Sequence, residues 1–165
     1  MEINAFMEEH RQEAYDLLLE LAQIPAPSNH EEKRAKFCKN CLTSQGAEGV
    51  YIDEALNVIY PVGCGDDLEL AVFMAHSDVV FPDTEALPLK VEDGKICCPG
   101  IGDDTANVVA LLMTAKYIAQ HGLRPKNRGV LLVVNSGEEG LGNLKGSRKI
   151  MEDFGPRIQE FVSLD

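Results

Sequence analysis

Leu68–His76, LELAVFMAH, keeps its apolar residues consecutive from Leu70 to Ala75, with no polar alternation. A strand with one wet face alternates apolar and polar side chains, so an unbroken run points to a strand covered on both faces, as in a parallel sheet. Gly129–Ser136, GVLLVVNS, repeats the pattern, and Glu160–Asp165, EFVSLD, opens a third buried strand. Between the first two runs, Thr105–Gln120 carries Val108, Val109, Leu111, Leu112, Ala115 and Ile118 at helical spacing and is stopped by Gly122. A helix around Lys145–Asp153 separates the second run from the third. Strand, helix, strand, helix, strand is the order of an α/β fold, a mostly parallel sheet flanked by helices with right-handed crossovers.

Upstream, Met7, Ala14, Leu18 and Leu21 predict one amphipathic helix over about residues 4–23, ended by the prolines of IPAPS, Ile24–Ser28. Ser28 with Glu31 forms a capping-box pattern for a second helix, and Gly46 is its natural stop. Gly49–Gly63, GVYIDEALNVIYPVG, reads as a two-stranded hairpin, and Asp93-Gly94 marks another inside the irregular stretch Ser77–Gly102. Irregular stretches of that length usually serve a site. There is no internal repeat, low-complexity segment or linker. The third apolar strand runs to the last residue, which reads as a cut within a larger domain.

Composition narrows the function. The 165 residues carry a formal charge of −12, which disfavours nucleic acid and anionic membranes as partners because both recruit Lys and Arg. No apolar run approaches the ~20 residues of a membrane span. The start, MEINAFMEEH, has acids where a signal peptide carries basic residues, so a cytoplasmic location is expected. Five cysteines form an odd set, Cys38, Cys41, Cys64, Cys97 and Cys98. The Cys38-x-x-Cys41 pair falls on the apolar side of a helix, where thiols act as small core hydrophobes rather than as a redox or zinc pair. Cys97 and Cys98 belong to a hairpin arm.

Ligands of open α/β sheets bind beyond the carboxyl ends of the strands. The first strand delivers His76 and Asp78 to that end, the second Glu138 and Glu139, and the third Asp165, while Asp103 and Asp104 lie in the turn before the connecting helix. Six of these seven residues are carboxylates. Gathered in one crevice they repel by several kcal/mol at short range, and divalent cations reverse that sign. Imidazole and carboxylate oxygens suit zinc. His76 and Asp78 face the same way in an extended segment, so Asp78 can accept the imidazole N–H turned away from a metal. A carboxylate such as Asp103 can bridge two metals. The adjacent Glu138 and Glu139 offer one metal ligand and one free carboxylate to deprotonate water.

AHSDVV, GIGDD and NSGEEG in that order, with IPAPS after the first helix and the terminal SLD, resemble the catalytic domain of the dinuclear zinc exopeptidase and deacylase family. That family includes peptidase T, glutamate carboxypeptidase, acetylornithine deacetylase and succinyl-diaminopimelate desuccinylase. The resemblance implies that His76 and Asp165 hold one Zn2+, that Glu139 holds the other, and that Asp103 bridges them. It also implies that Glu138 is the general base, that Asp78 supports His76, and that the Asp103–Asp104 peptide bond is cis. Co2+ or Mn2+ are possible substitutes, the substrate is a small peptide or N-acyl amino acid, and the full-length protein is a homodimer.

On the same resemblance, residues 1–165 are the N-terminal portion of one catalytic domain, without the lid and dimerisation domain or the C-terminal remainder that carries a second zinc histidine. The piece by itself is then expected to be inactive. Thr105-Ala106 and Pro99-Gly100 stand where the family often has Lys-Gly and Arg-Gly. His10, His30 and His121 read as exposed helix-end residues, not as substitutes for the missing histidine. GEEGLGNLKG leans toward the peptidase T side. Two other readings stay open: a truncated noncatalytic scaffold or interaction module, and a nucleotide-binding module. The latter is disfavoured because Lys145-Gly146-Ser147 reverses the order a phosphate loop needs.

Overall fold

The three apolar runs join one sheet in the computed structural model, which describes residues 3–66 and 68–165, the first two at its centre and the third at its edge. Strands β1 (Tyr51–Ile52), β2 (Val58–Val62), β3 (Leu70–His76), β6 (Gly129–Asn135) and β7 (Ile158–Ser163) lie in the order β1-β2-β6-β3-β7. β3 is parallel to both β6 and β7. The expected hairpin β1-β2 joins β6 antiparallel, so the sheet is mixed. The short hairpin β4 (Lys90–Glu92) and β5 (Lys95–Cys97) turns at Asp93 and Gly94, whose φ values of 50° and 72° suit the type I′ turn that such a sequence predicts.

Helices α2 (Arg11–Gln23), α3 (Glu32–Ser44) and α4 (Ala106–Gln120) enclose the larger core with one face of the sheet. Helix α5 (Lys145–Phe154) places Ile150 on the other face, against Ile59, Leu70, Val72, Met74, Leu131 and Val133. Covering from both sides explains why β3 lacks polar alternation: only Phe73 of its residues is even partly exposed.

Three local expectations change. The single helix over 4–23 is two, α1 (Ile3–Glu9) and α2, broken at His10. There the imidazole stacks on Phe6 at 4.1 Å between centroids and its Nδ1 bonds the Phe6 carbonyl at 3.0 Å. The bend buries Phe6, whose ring meets Tyr117 edge-on. His121 packs on Tyr117, so His10 and His121 are half-buried aromatic partners and only His30 is exposed.

The Ser28–Glu31 capping box does not form, because both side chains serve distant residues. Ser28 Oγ donates to Asp78 at 2.8 Å, while buried Glu31 accepts the Asn29 N–H at 2.8 Å and Lys145 Nζ at 3.0 Å. Strand β7 is not buried: Phe161 and Val162 are 41% and 37% exposed. It lies at the sheet edge, paired with β3, whereas α4 packs on β3 and β6.

Cys38 is fully buried on α3, and burial, reinforced by Cys41, pushes its thiol up to about 12. All five cysteines are free and Cys97 is exposed. Since the thiolate is the reactive form, a short iodoacetamide pulse on the native protein is expected to label Cys97 and spare Cys38. Mass spectrometry that found Cys38 modified first would contradict this packing. Among the described residues, no helix is long and apolar enough to cross a membrane.

Candidate metal centre

His76 ends β3, and three contacts fix it. Its main-chain N–H donates to Asp104 Oδ2 at 2.8 Å, its Nδ1 lies 3.0 Å from the Asp78 carbonyl, and its Nε2 lies 3.0 Å from Asp103 Oδ1. The nearest acceptor to Nδ1 is thus main chain; the Asp78 carboxylate sits at 3.6 Å. With Nδ1 donating inward, Nε2 is the ring nitrogen turned to Asp103 and the cleft, able to donate to that carboxylate when protonated and to ligate a metal when neutral.

Asp78 does more than sequence suggested. Its fully buried carboxylate accepts the N–H groups of Glu138 at 2.9 Å and Glu139 at 3.0 Å, besides the Ser28 hydroxyl. One side chain therefore clamps the loop after β6 to the loop after β3. Burial would raise this carboxyl, but the nearby His76 ring and the hydrogen bonds from Glu138, Ser28 and Glu139 outweigh it and hold it below its ordinary value.

The acidic pair divides its work. The turn Ile101–Thr105 places Asp103 outward, 69% exposed at its side chain, and Asp104 inward, 1% exposed; the peptide bond between them is cis. Asp104 anchors the turn through His76 N–H and through Asn107 Nδ2 at 2.6 Å. Burial, helped by Asp165, pushes Asp104 up to about 6 against those hydrogen bonds. Gly100 precedes the turn at φ 71°, and a Cβ there would meet Val79 at 2.3 Å.

Ligand atoms of His76, Asp103 and Glu139 lie within 4.8 Å of one another. They come from the end of β3, the turn before α4 and the loop after β6. Burial favours the neutral His76 ring, but Asp78, Asp104 and Asp103 overcome it and push its pKa up to about 9. Burial and then Asp103 raise Glu139. One imidazole and two carboxylates converging with a side open to solvent is the donor set of a catalytic metal site, so the residues fit such an ion.

Glu138 sits next to this group, half-buried, its main chain held by Asp78. Asp165 is exposed and not one of the three; the segment carrying it is tied in by Leu164, whose N–H donates to Met74 and whose carbonyl accepts from Asn107.

Sequence reasoning missed the supports. Arg34, 1% exposed, donates from Nε to the Ile24 carbonyl at 2.7 Å, and from one terminal nitrogen to the Ser77 carbonyl at 3.0 Å and Thr105 Oγ1 at 3.1 Å. Its position one turn before Cys38 on the apolar side of α3 was the available clue. Lys145, the lysine of the phosphate-loop reading, pairs with buried Glu31 at 3.0 Å. Buried Asn57 accepts the Ser136 N–H and donates to the Gly146 carbonyl, bracing the acidic loop from the other side.

That loop is close-packed on itself. A Cβ on Gly142 would meet the main chain of Gly137 at 2.3 Å. Gly142→Ala is expected to cost about 1–3 kcal/mol of stability and to weaken metal binding by displacing Glu139. Thermal melts with and without metal check both, and an unchanged metal affinity would show that the loop does not set Glu139.

The sequence pattern of Peptidase family M20/M25/M40 matches residues 72–164, more than half of the chain, and the chain belongs to this family. No curated protein sequence matches it. Solved structures share the fold. Aminopeptidase PepT from Bacillus cereus superposes with a TM-score of 0.71 at 19% identity, over 93% of this chain and 43% of its own. Human carnosine dipeptidase 1 gives 0.72 at 16% identity, over 98% and 40%. A tripeptidase from Staphylococcus aureus gives 0.66 at 21% identity, over 86% and 40%. The chain therefore spans about two fifths of the length of the structures it matches.

Proposed function

We propose that this chain supplies the N-terminal part of the active site of a metal-dependent peptidase or amidase that cleaves a peptide or N-acyl amide bond in a small peptide or amino-acid derivative. The convergence of His76, Asp103 and Glu139 within 4.8 Å carries this reading. His76 and Asp165 would hold one metal ion and Glu139 the other, with Asp103 shared between them. Imidazole nitrogen and carboxylate oxygen are suitable zinc ligands. Bound metal supplies Lewis acidity, polarising a carbonyl and acidifying water.

The chain's own residues do the rest. Glu138, beside Glu139 but outside the converging group, takes the proton of the attacking water and returns it to the leaving nitrogen. Asp78 holds Glu138 and Glu139 in register with His76. The stretch GEEGLGNLKG, Gly137–Gly146, favours the peptidase T side of the family, and the full-length protein would act as a homodimer.

Zinc titration by calorimetry, followed by a panel of di- and tripeptides and N-acyl amino acids with the intact protein, tests the reading. His76→Ala and Asp103→Asn are expected to weaken zinc binding by at least about 10- to 100-fold, the scale at which disturbed metal sites respond. Unchanged binding in both variants would defeat the assignment, and tight zinc without hydrolysis of any panel member would favour the noncatalytic scaffold.

A further inference from the structure

Beside Glu139 lies a cavity of about 200 Å³ whose walls are Pro27, Val79, Val80, Phe81, Pro82 and Leu141. Val80, Phe81 and Leu141 are 62%, 38% and 90% exposed. Single exposed hydrophobics are ordinary. These three rim one cavity, and Glu139 and Ser28 supply its polar lining.

The walls are held in place. Val79 is buried, donates its N–H to the Ala26 carbonyl at 2.9 Å and pairs with Pro27 as an isolated parallel bridge. Across the cavity, Asn29 Nδ2 donates to the Leu141 carbonyl at 3.2 Å. A preformed apolar pocket with a polar group at one edge is the common form of a ligand subsite, but whole-ligand sites run to roughly 300–1,000 Å³. This volume accepts one side chain. The lining residues include no cation to pair with an acidic one, so burying its charge there is unfavourable.

We propose that this pocket receives the neutral aliphatic or aromatic side chain next to the bond that is cleaved, and so selects apolar over acidic residues at that position. The proposal rests on the metal-dependent hydrolase reading, since Glu139 links the pocket to the reacting centre. An apolar pocket discriminates by roughly 10- to 200-fold for each methylene it accepts or lacks.

The test is calorimetric titration of the zinc-loaded intact protein with hydroxamates, which chelate metal through a constant head group. Acetohydroxamate carries no side chain; the hydroxamates of alanine, leucine, phenylalanine and aspartate form the series. Leucine and phenylalanine hydroxamates are expected to bind at least about 10-fold tighter than that of alanine, and that of aspartate more weakly. Phe81→Ser and Leu141→Ser, both at exposed positions, are expected to remove most of the preference for leucine while leaving acetohydroxamate affinity unchanged. A flat series with acetohydroxamate bound would overturn the pocket alone. Failure of acetohydroxamate to bind would overturn the metal reading and the pocket with it.

Discussion

Glu138→Gln is expected to retain its metal and to lose turnover by about 10²- to 10⁴-fold, the usual contribution of a general base. The substitution keeps the shape of the side chain and leaves the main-chain N–H of residue 138 on Asp78, a 2.9 Å contact that does not depend on the carboxylate. Glu139, the neighbour in the converging group, is untouched. What disappears is the ability to accept a proton. The measurement pairs kcat on the best substrate of the panel with metal content by elemental analysis. Near-normal kcat would refute the base, and loss of metal with loss of activity would make Glu138 a ligand instead.

The central sheet was readable because burial on both faces leaves a trace in the chain itself. Leu70–Ala75 and Val130–Val134 could only be internal strands, and the positions just beyond their ends then placed His76, Asp78, Glu138 and Glu139 together. Asp103 and Asp104 were readable from their place in the turn before the connecting helix, though neither side chain caps that helix: Asp104 tethers the main chain of His76 and Asp103 faces its ring.

What stayed illegible depends on contacts distant in sequence. Ser28 and Glu31 have local capping chemistry, yet Asp78 lies 50 residues away from one and Lys145 114 residues from the other, and those partners won. Nothing near Glu160–Ser163 distinguishes an edge strand from a buried one, because apolar character alone does not reveal its neighbours. Asp78 is the instructive case. Its spacing from His76 suggested an imidazole partner, and its carboxylate lies 3.6 Å from that ring while also binding two N–H groups 60 and 61 residues further on, which no local pattern announces.

Arg34→Ala is expected to destabilise the protein by about 4 kcal/mol. The guanidinium satisfies the carbonyls of Ile24 and Ser77, and stranding buried acceptors costs about 1–3 kcal/mol each, before the cavity left by the side chain is counted. Burial already lowers the Arg34 pKa to about 10 despite the nearby cysteines and Asp78, so the charge is held there against a real desolvation penalty. A change of that size removes a large share of the 5–15 kcal/mol typical of a domain and lowers the melting temperature by roughly 8–16 °C in a chain of this length. Ser77 lies between His76 and Asp78, and Thr105 closes the turn that carries Asp103, so the lost contacts are also the ones that join the two halves of the metal group. Metal affinity should therefore fall together with stability. Arg34→Lys, which restores the charge and part of the hydrogen bonding but not the fork that spans Ile24, Ser77 and Thr105, should recover stability more than metal affinity. If the alanine variant melted within a few degrees of the wild type and bound zinc equally well, α3 would have no part in holding the site.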